Sequence, residues 1–280
     1  NARELLRSQQ YSMNQVIVNF ENYFAQIDQA TQDVIFAEAT QHTLEGTAIT
    51  QKLRFQTDSM ILKKGYQEGV CFAYVDNRDR VYKTDNVRCP EYDLVKAIPL
   101  SPLFQKMDTD YARLRWGLEP TALFMSSLNA PDLYSLYVGR RVRHLDMAVG
   151  PGYLMIEIPQ KRLRELMADP LMHAGTRYLL LTDEGRVVLD SRSEIQPGDA
   201  VDDVPLISLI QGGAATFSYD GQQYVLGRLS EPGLMLLSCL SADAYGDIKD
   251  EMGELLTKVA LIGALFAVLL GLLFVPKVKK

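Results

Sequence analysis

Residues 259–275, VALIGALFAVLLGLLFV, contain no charged side chain and no polar face. As a helix at ~1.5 Å per residue this run covers roughly 26 Å, enough to cross the hydrocarbon of a bilayer. Lys258 precedes it, and Lys277, Lys279 and Lys280 follow. Positive charge concentrates on the cytoplasmic side of a span, so the C-terminus is expected inside and the first 258 residues outside the cytoplasm. The alternative, a buried helix of a water-soluble core, would carry a polar stripe that these positions lack.

The part before the run holds 26 Lys and Arg against 35 Asp and Glu, a net charge of −9. That balance disfavours a nucleic-acid partner. The sequence starts at Asn1 with no apolar leader, so a first spanning helix upstream is expected. Cys71, Cys89 and Cys239 form no CxxC pair and have no histidine set beside them, which argues against a metal. Cys71 and Cys89 bracket an expected hairpin and read either as a disulfide or as two buried thiols. His42, His144 and His173 are scattered, and no GxSxG, P-loop or HExxH occurs, so neither catalytic residues nor a cofactor are expected.

From Leu6, apolar residues fall at Met13, Val16, Phe20, Tyr23, Ile27, Ala30, Val34, Ala37 and Leu44, a helical stripe. Continuous to about Glu45, that helix is longer than a small domain is wide, so part of it must lie on another chain or a second module. Ile17, Phe24 and Ile35 widen the stripe enough for a sheet contact and a dimer seam. A second helix is expected over residues 49–64. Then CFAYV, a polar turn at Asp76-Asn77-Arg78-Asp79, and RVYKT read as a hairpin, and YLLLT, Asp183-Glu184-Gly185 and RVVLDS repeat the pattern. PGYLMIEIPQKRL from Pro151 matches PGLMLLSCLSADAY from Pro232, and Tyr137-Val138-Gly139-Arg140 parallels Tyr224-Val225-Leu226-Gly227-Arg228 with one residue of slippage. This is an internal repeat of α+β modules with antiparallel sheets. The expected division is a long helix at 1–48 for signalling and dimerisation, a membrane-distal module at 49–168, a membrane-proximal module at 169–246, a juxtamembrane and transmembrane helix at 247–275, and the start of a cytoplasmic connector at 276–280. The insertion at 85–132 is long and that at 191–213 short, which points to a ligand in the distal module.

Glu157 interrupts the apolar strand LMIEI, and a carboxylate there needs a donor; aligning the repeats places Ser238 at its counterpart, so the fold does not demand the charge. It either pairs with an arginine such as Arg141 or meets a ligand. By alternation Tyr153, Met155 and Glu157 share one face. Arg115 beside Trp116 combines a fork for carboxylates with an apolar wall, suited to a small anion or zwitterion. Trp116 capping the core is the competing reading. Tyr134 and Tyr137 lie on alternate faces of one strand, and each hydroxyl could reach a pocket or be packed. Gly263, Ala267 and Gly271 line one face of the apolar run and permit close approach of two copies in a homodimer.

A long helix, two PAS-like modules in series and a helix entering the membrane resemble the double Cache sensor domains of bacterial receptors. Leu114-Arg115-Trp116, YSLYVGRRV and GYLMIEIPQKRLREL look most like the sensor histidine kinases that pair with AraC-type response regulators. The resemblance implies an extracytoplasmic ligand-binding module, a HAMP-like connector from near Pro276 and a dimeric kinase beyond. Many such domains bind amino acids through a Tyr, Arg and Trp cluster and an Asp; Tyr111, Arg115 and Trp116 supply the first three types and Glu157 the acid. The Arg-Trp spacing departs from that pattern, Gly117 replaces the aromatic that follows, and Glu replaces Asp. The same outer domain is carried by chemoreceptors and diguanylate cyclases, and a membrane-anchored binding protein without signal output is a further alternative.

Overall fold

The computed structural model describes residues 2–45, 71–109, 113–125, 133–145, 149–168, 176–201, 203–230, 233–241 and 257–262. The apolar stripe near the N-terminus forms α1 (Ala2–Phe36), which buries Met13, Val16, Phe20, Tyr23, Phe24, Ile27, Ala30, Val34 and Ile35. Its 35 residues extend ~52 Å. The helix does not run on to Glu45 as the periodicity predicts. It breaks at Ala37, and α2 (Glu38–Glu45) restarts with the Ala37 carbonyl accepting from the Thr40 and Gln41 amides. The Gln41 side chain explains the break: its Nε2 donates to the Ile35 carbonyl at 2.8 Å, the acceptor that an unbroken helix would offer to residue 39. The helix expected over 49–64 lies outside the described residues.

Beyond α2 the chain builds a sheet from β1 (Cys71–Val75), β2 (Val81–Lys83), β3 (Arg115–Pro120), β4 (Tyr134–Val142) and β5 (Gly152–Ile158), in the order β2-β1-β5-β4-β3 and antiparallel throughout. Between β2 and β3, α3 (Glu91–Ala97) and α4 (Pro102–Thr109) pack on the face opposite α1, through Leu94, Leu103 and Met107. Helix α5 (Gln160–Met167) then leads to a second sheet of β6 (Thr176–Leu181), β7 (Val187–Asp190), β8 (Thr216–Tyr219), β9 (Gln222–Arg228) and β10 (Met235–Ser241), in the corresponding order β7-β6-β10-β9-β8. Helix α6 (Val204–Gln211) covers its outer face, with the Asp203 carboxylate capping the Leu206 amide at 3.0 Å. The repeat therefore folds as two like sheets.

One apolar layer joins α1 to the inner faces of both sheets, taking Phe72, Tyr74, Val138 and Ile156 from the first and Tyr178, Leu180, Val225 and Leu236 from the second. The length of α1 is thus used by the second sheet of the same chain. Burying a side chain such as Phe20 there stabilises the fold by about 1.5–3 kcal/mol.

The repeats differ from the sequence alignment by one residue. Glu157 pairs across its sheet with Tyr137 and Cys71, and in the second sheet Cys239 pairs with Tyr224 and Arg177, so the counterpart of Glu157 is Cys239. Ser238 faces α1, where Gln9 Nε2 donates to its Oγ at 2.9 Å. The slippage between YVGR and YVLGR has a matching consequence, because a shift of one residue moves a strand position to the other face. Gly139 lies under α4, where an added Cβ would sit 2.3 Å from Met107 Sδ; Gly227 lies under α1, where it would sit 2.2 Å from Ile17 Cδ1.

All three cysteines are buried thiols. Residues 257–262 are helical and exposed, and 263–275 lie outside the described residues, with Gly263, Ala267 and Gly271 among them. Among the described residues no helix is long and apolar enough to cross a membrane.

Candidate ligand-binding site

The outer face of the first sheet, under α3 and α4, gathers three of the residues singled out in the sequence. Gly117, Tyr137, Glu157 and Cys71 form one row across β3, β4, β5 and β1, and Arg115, Gly139, Met155 and Ala73 form the next. Leu114 and Trp116 both join the α1 layer, so by alternation Arg115 lies on the opposite, outer face. There it is diagonal to Tyr137 on the neighbouring strand, a separation of ~7–8 Å between backbones. The bare Cα of Gly117 leaves room for Leu103 of α4, whose Cβ would be 3.2 Å from an added one. Small residues in β3 and β4 thus let α4 lie close over the sheet.

Glu157 is 6% exposed and Tyr137 wholly buried. Burial, and the Glu157 carboxylate beside it, push the Tyr137 hydroxyl well above the ordinary phenol range. Phe124 closes on the same ring edge-on, 5.1 Å between centroids. Burial, with Glu157 again adding negative charge, pushes the Cys71 thiol up to about 12, which keeps it protonated and unreactive at neutral pH. The sequence reading that pairs Glu157 with Arg141 does not hold. Arg141 faces Tyr153, four residues away along β5, and its guanidinium binds Asp108 of α4 at 2.9 Å and the Tyr153 hydroxyl at 3.3 Å. Glu119, on the same face, accepts from the Leu103 amide at 2.7 Å and so caps the first turn of α4; burial raises its pKa. The sequence reading missed Asp108 and Glu119; it placed Tyr153 on the Glu157 face by alternation but not against Arg141, which the parity of GRRV puts on that face too.

Trp116 and Tyr134 are elsewhere. Trp116 packs on Phe24 of α1, 4.3 Å between ring centroids, and is 7% exposed; its Nε1 has no hydrogen-bond partner among the described residues. It borders a groove of about 700 Å³ between α1 and the β3–β4 side of the sheet. The acids there are internally satisfied: Asp28 by Arg140 and by Gln32 at 2.8 Å, and Glu21 by the Ser230 hydroxyl and amide. Tyr134 lines a cleft of about 430 Å³ between the sheets and lies against Gly198, whose φ of +95° and lack of Cβ make room for the ring. Tyr111 lies outside the described residues. Among the described residues no group of His, Cys, Asp and Glu is placed to hold a metal ion.

Chemically, the outer-face set offers a carboxylate that accepts from a cationic group, a phenol beside it and a guanidinium at the sheet edge that donates to an anionic one. No family model and no curated protein matches the chain. Solved structures do. The extracellular domain of the candidate histidine kinase rpHK1S-Z16 matches with TM-score 0.61 at 14% identity, over 87% of this chain and 97% of that one. The sensory domain of the Campylobacter jejuni chemoreceptor Tlp3, with isoleucine bound, gives 0.59 at 11% identity over 87% and 95%. The ligand-binding domain of Mlp24, with asparagine, gives 0.56 at 13% over 88% and 98%. What the chain shares with these extracellular sensor domains of histidine kinases and chemoreceptors is the Cache-like fold: a long helix laid across two antiparallel sheets.

Proposed function

We propose that this chain is the extracytoplasmic sensing region of a bacterial transmembrane receptor, with a module at 49–168 that binds a small ligand and one at 169–246 that passes the change to a membrane helix at 247–275. The observation that carries this reading is Glu157, a carboxylate buried in the outer face of the first sheet with Tyr137 and Arg115 on the same face, where the second sheet has Cys239. A ligand with separated positive and negative groups suits that set, Glu157 taking an amine and Arg115 a carboxylate. The bound isoleucine of Tlp3 and asparagine of Mlp24 support an amino acid as the class. Tyr111 completes the set in this reading, and Trp116 and Tyr134 act from outside it, by holding the sheet to α1 and to the second module.

The receptor is a homodimer in this proposal, its output a histidine kinase of the kind paired with AraC-type regulators. Tyr11, Val18 and Ala25 are exposed on α1 at seven-residue intervals, which supports a seam between two copies, and Gly263, Ala267 and Gly271 would extend it through the bilayer.

Thermal denaturation of the 280-residue chain in detergent, against a panel of amino acids and organic acids, tests the site. A binder raises Tm. Glu157→Gln and Arg115→Ala are each expected to weaken that binding about 10- to 100-fold, the scale of a charge-assisted hydrogen bond. An amino acid that protects both variants as well as wild type would place the site elsewhere.

A further inference from the structure

Helix α2 is fastened to its surroundings by two kinds of bond. One kind is indifferent to pH. The β1–β2 turn holds the last carbonyls of the helix, with Arg80 Nη2 donating to Thr43 at 2.6 Å, Asn77 Nδ2 to Leu44 at 3.2 Å and Arg78 Nη2 to Glu45 at 3.2 Å. The Gln41 amide grips the connection between β4 and β5 on either side of His144, donating to the Arg143 carbonyl at 3.0 Å and accepting from the Leu145 amide at 2.9 Å. The other kind runs through imidazoles. Both oxygens of the Glu45 carboxylate meet imidazoles, Oε2 with His42 Nδ1 at 2.9 Å on the same helix and Oε1 with His144 Nε2 at 3.0 Å across the gap; the far side of His42, Nε2, meets Glu38 at 3.2 Å.

We propose that Glu45, set between His42 and His144, makes α2 a proton-binding site through which this chain responds to the acidity of its surroundings, separately from any small ligand. Both ring nitrogens of His42 face carboxylates, so both carry hydrogen in this arrangement and the ring is a cation; a neutral ring would turn a lone pair toward Glu45 or Glu38. The hydrogen bonds of Glu45 and then Glu38 raise His42 above its ordinary 6.5, and those of His42 and then His144 lower Glu45 below its ordinary 4.5. A raised histidine contributes stability that is complete below 6.5 and lost as pH rises through its folded pKa. A lowered glutamate contributes stability present above 4.5 and lost as pH falls through its own. The fastening is therefore complete between the two and opens above the raised value of His42. The other charged groups packed here are engaged elsewhere or lie in the same connection: Arg78 donates to the Glu45 carbonyl, Arg80 is tied to Asp76 at 2.6 Å, and Arg143 precedes His144.

The position gives the site leverage. Gln41 ties the break between α1 and α2 to the segment that carries His144, and Glu45, the partner of His42, bridges to the same segment. Among the described residues no three such groups are placed to share a metal ion, which favours the proton as the occupant.

Hydrogen exchange of the α2 amides in the 280-residue chain, corrected for intrinsic rates, tests the proposal together with imidazole NMR titration. Exchange in wild type is expected to be about two- to fivefold faster at pH 8 than at pH 5.5, the scale of an exposed ion pair. In Glu45→Gln that difference largely disappears and the His42 midpoint falls toward 6.5, while β5 amides behave alike in both. His144→Gln gives a second, milder removal of the bridge should Glu45→Gln fold poorly. Equal protection at both pH values in wild type, a pH dependence that survives Glu45→Gln and His144→Gln, or restoration of protection at pH 8 by added Zn²⁺ would each overturn it, the last by making the cluster a metal site.

Discussion

Both sheets place a tyrosine at the same point of the same strand, Tyr137 on β4 and Tyr224 on β9, yet the two meet different company. In the first sheet Tyr137 stands against a buried carboxylate, Glu157, on a face covered by α3 and α4. In the second, Tyr224 lies flat on Phe217, 5.1 Å away and 11° from parallel, and faces the Cys239 thiol, while the charge in the row is Arg177. That charge is answered within the sheet: Arg177 makes two bonds to Asp190, at 3.0 and 2.6 Å, and a third contact with Glu194. Asp190 in turn accepts from the Arg192, Glu194 and Ile195 amides and so organises the loop after β7. The difference teaches that one fold can keep its polar groups in two ways, closed upon themselves in the second sheet and presented to an insertion in the first.

The comparison breaks most severely at Asp190. Replacing it by Ala leaves Arg177, 20% exposed, without its main partner and three amides without an acceptor. The expected loss is about 3–5 kcal/mol in denaturant unfolding, the cost of removing one partner of a buried pair. The same pair gives the second sheet an acid limit. Burial alone would raise Asp190, but the Arg177 and backbone donors outweigh it and hold it below its ordinary 3.8. Its contribution is present above 3.8 and is lost as pH falls through the lowered value, so wild type should lose stability there and Asp190→Ala should not. A pH series of unfolding curves for both chains checks this; parallel curves would show that the pair contributes nothing.

A smaller effect tests the one-residue slippage between the repeats. Gly139→Ala forces Met107 of α4 aside in the first sheet, and Gly227→Ala forces Ile17 of α1 aside in the second. Each should cost about 1–3 kcal/mol, with both obstructing groups at the ends of side chains. The consequences should differ in place: Gly139→Ala disturbs the face that carries Glu157 and weakens ligand binding, whereas Gly227→Ala loosens α1 from β9 and leaves binding at the first sheet intact. Matching binding losses in the two variants would erase the distinction between the outer and inner faces.

The strands, the hairpins and their recurrence were legible because short apolar, β-rich runs such as CFAYV and YLMIEI are bounded by polar turns. So was the stripe of α1, whose buried residues are nearly those that the spacing selects. The break at Ala37 was not, since it rests on a side chain, Gln41, reaching back to a carbonyl, and hydrophobic spacing records no such bond. Of the candidate site, Tyr137 and Glu157 were singled out as separate residues, and their pairing across β4 and β5 depends on strand register. Register also misassigned Ser238: Gly152 lies five residues before Glu157 and Gly233 six before Cys239, and a slip of one exchanges the faces. Trp116 was grouped with Arg115 because they are neighbours in sequence, and adjacency in a strand is what sends them to opposite sides.

Trp116 supplies the mildest test and the one that separates its two readings. Its indole N–H is buried with no acceptor among the described residues, which costs about 1–3 kcal/mol relative to a paired donor, while its ring contributes packing against Phe24. Trp116→Phe keeps an aromatic body and removes the stranded donor. If the residue only holds β3 to α1, loss of ring volume and relief of the buried N–H oppose each other, and the net change should stay within about 1 kcal/mol with ligand affinity untouched. If instead the indole grips the ligand of the first sheet, affinity should fall while stability holds. Trp116 is the single tryptophan of the chain, so the fluorescence of wild type reads the same question directly: a ligand seated on the outer face, across the sheet from the indole, should shift its emission little.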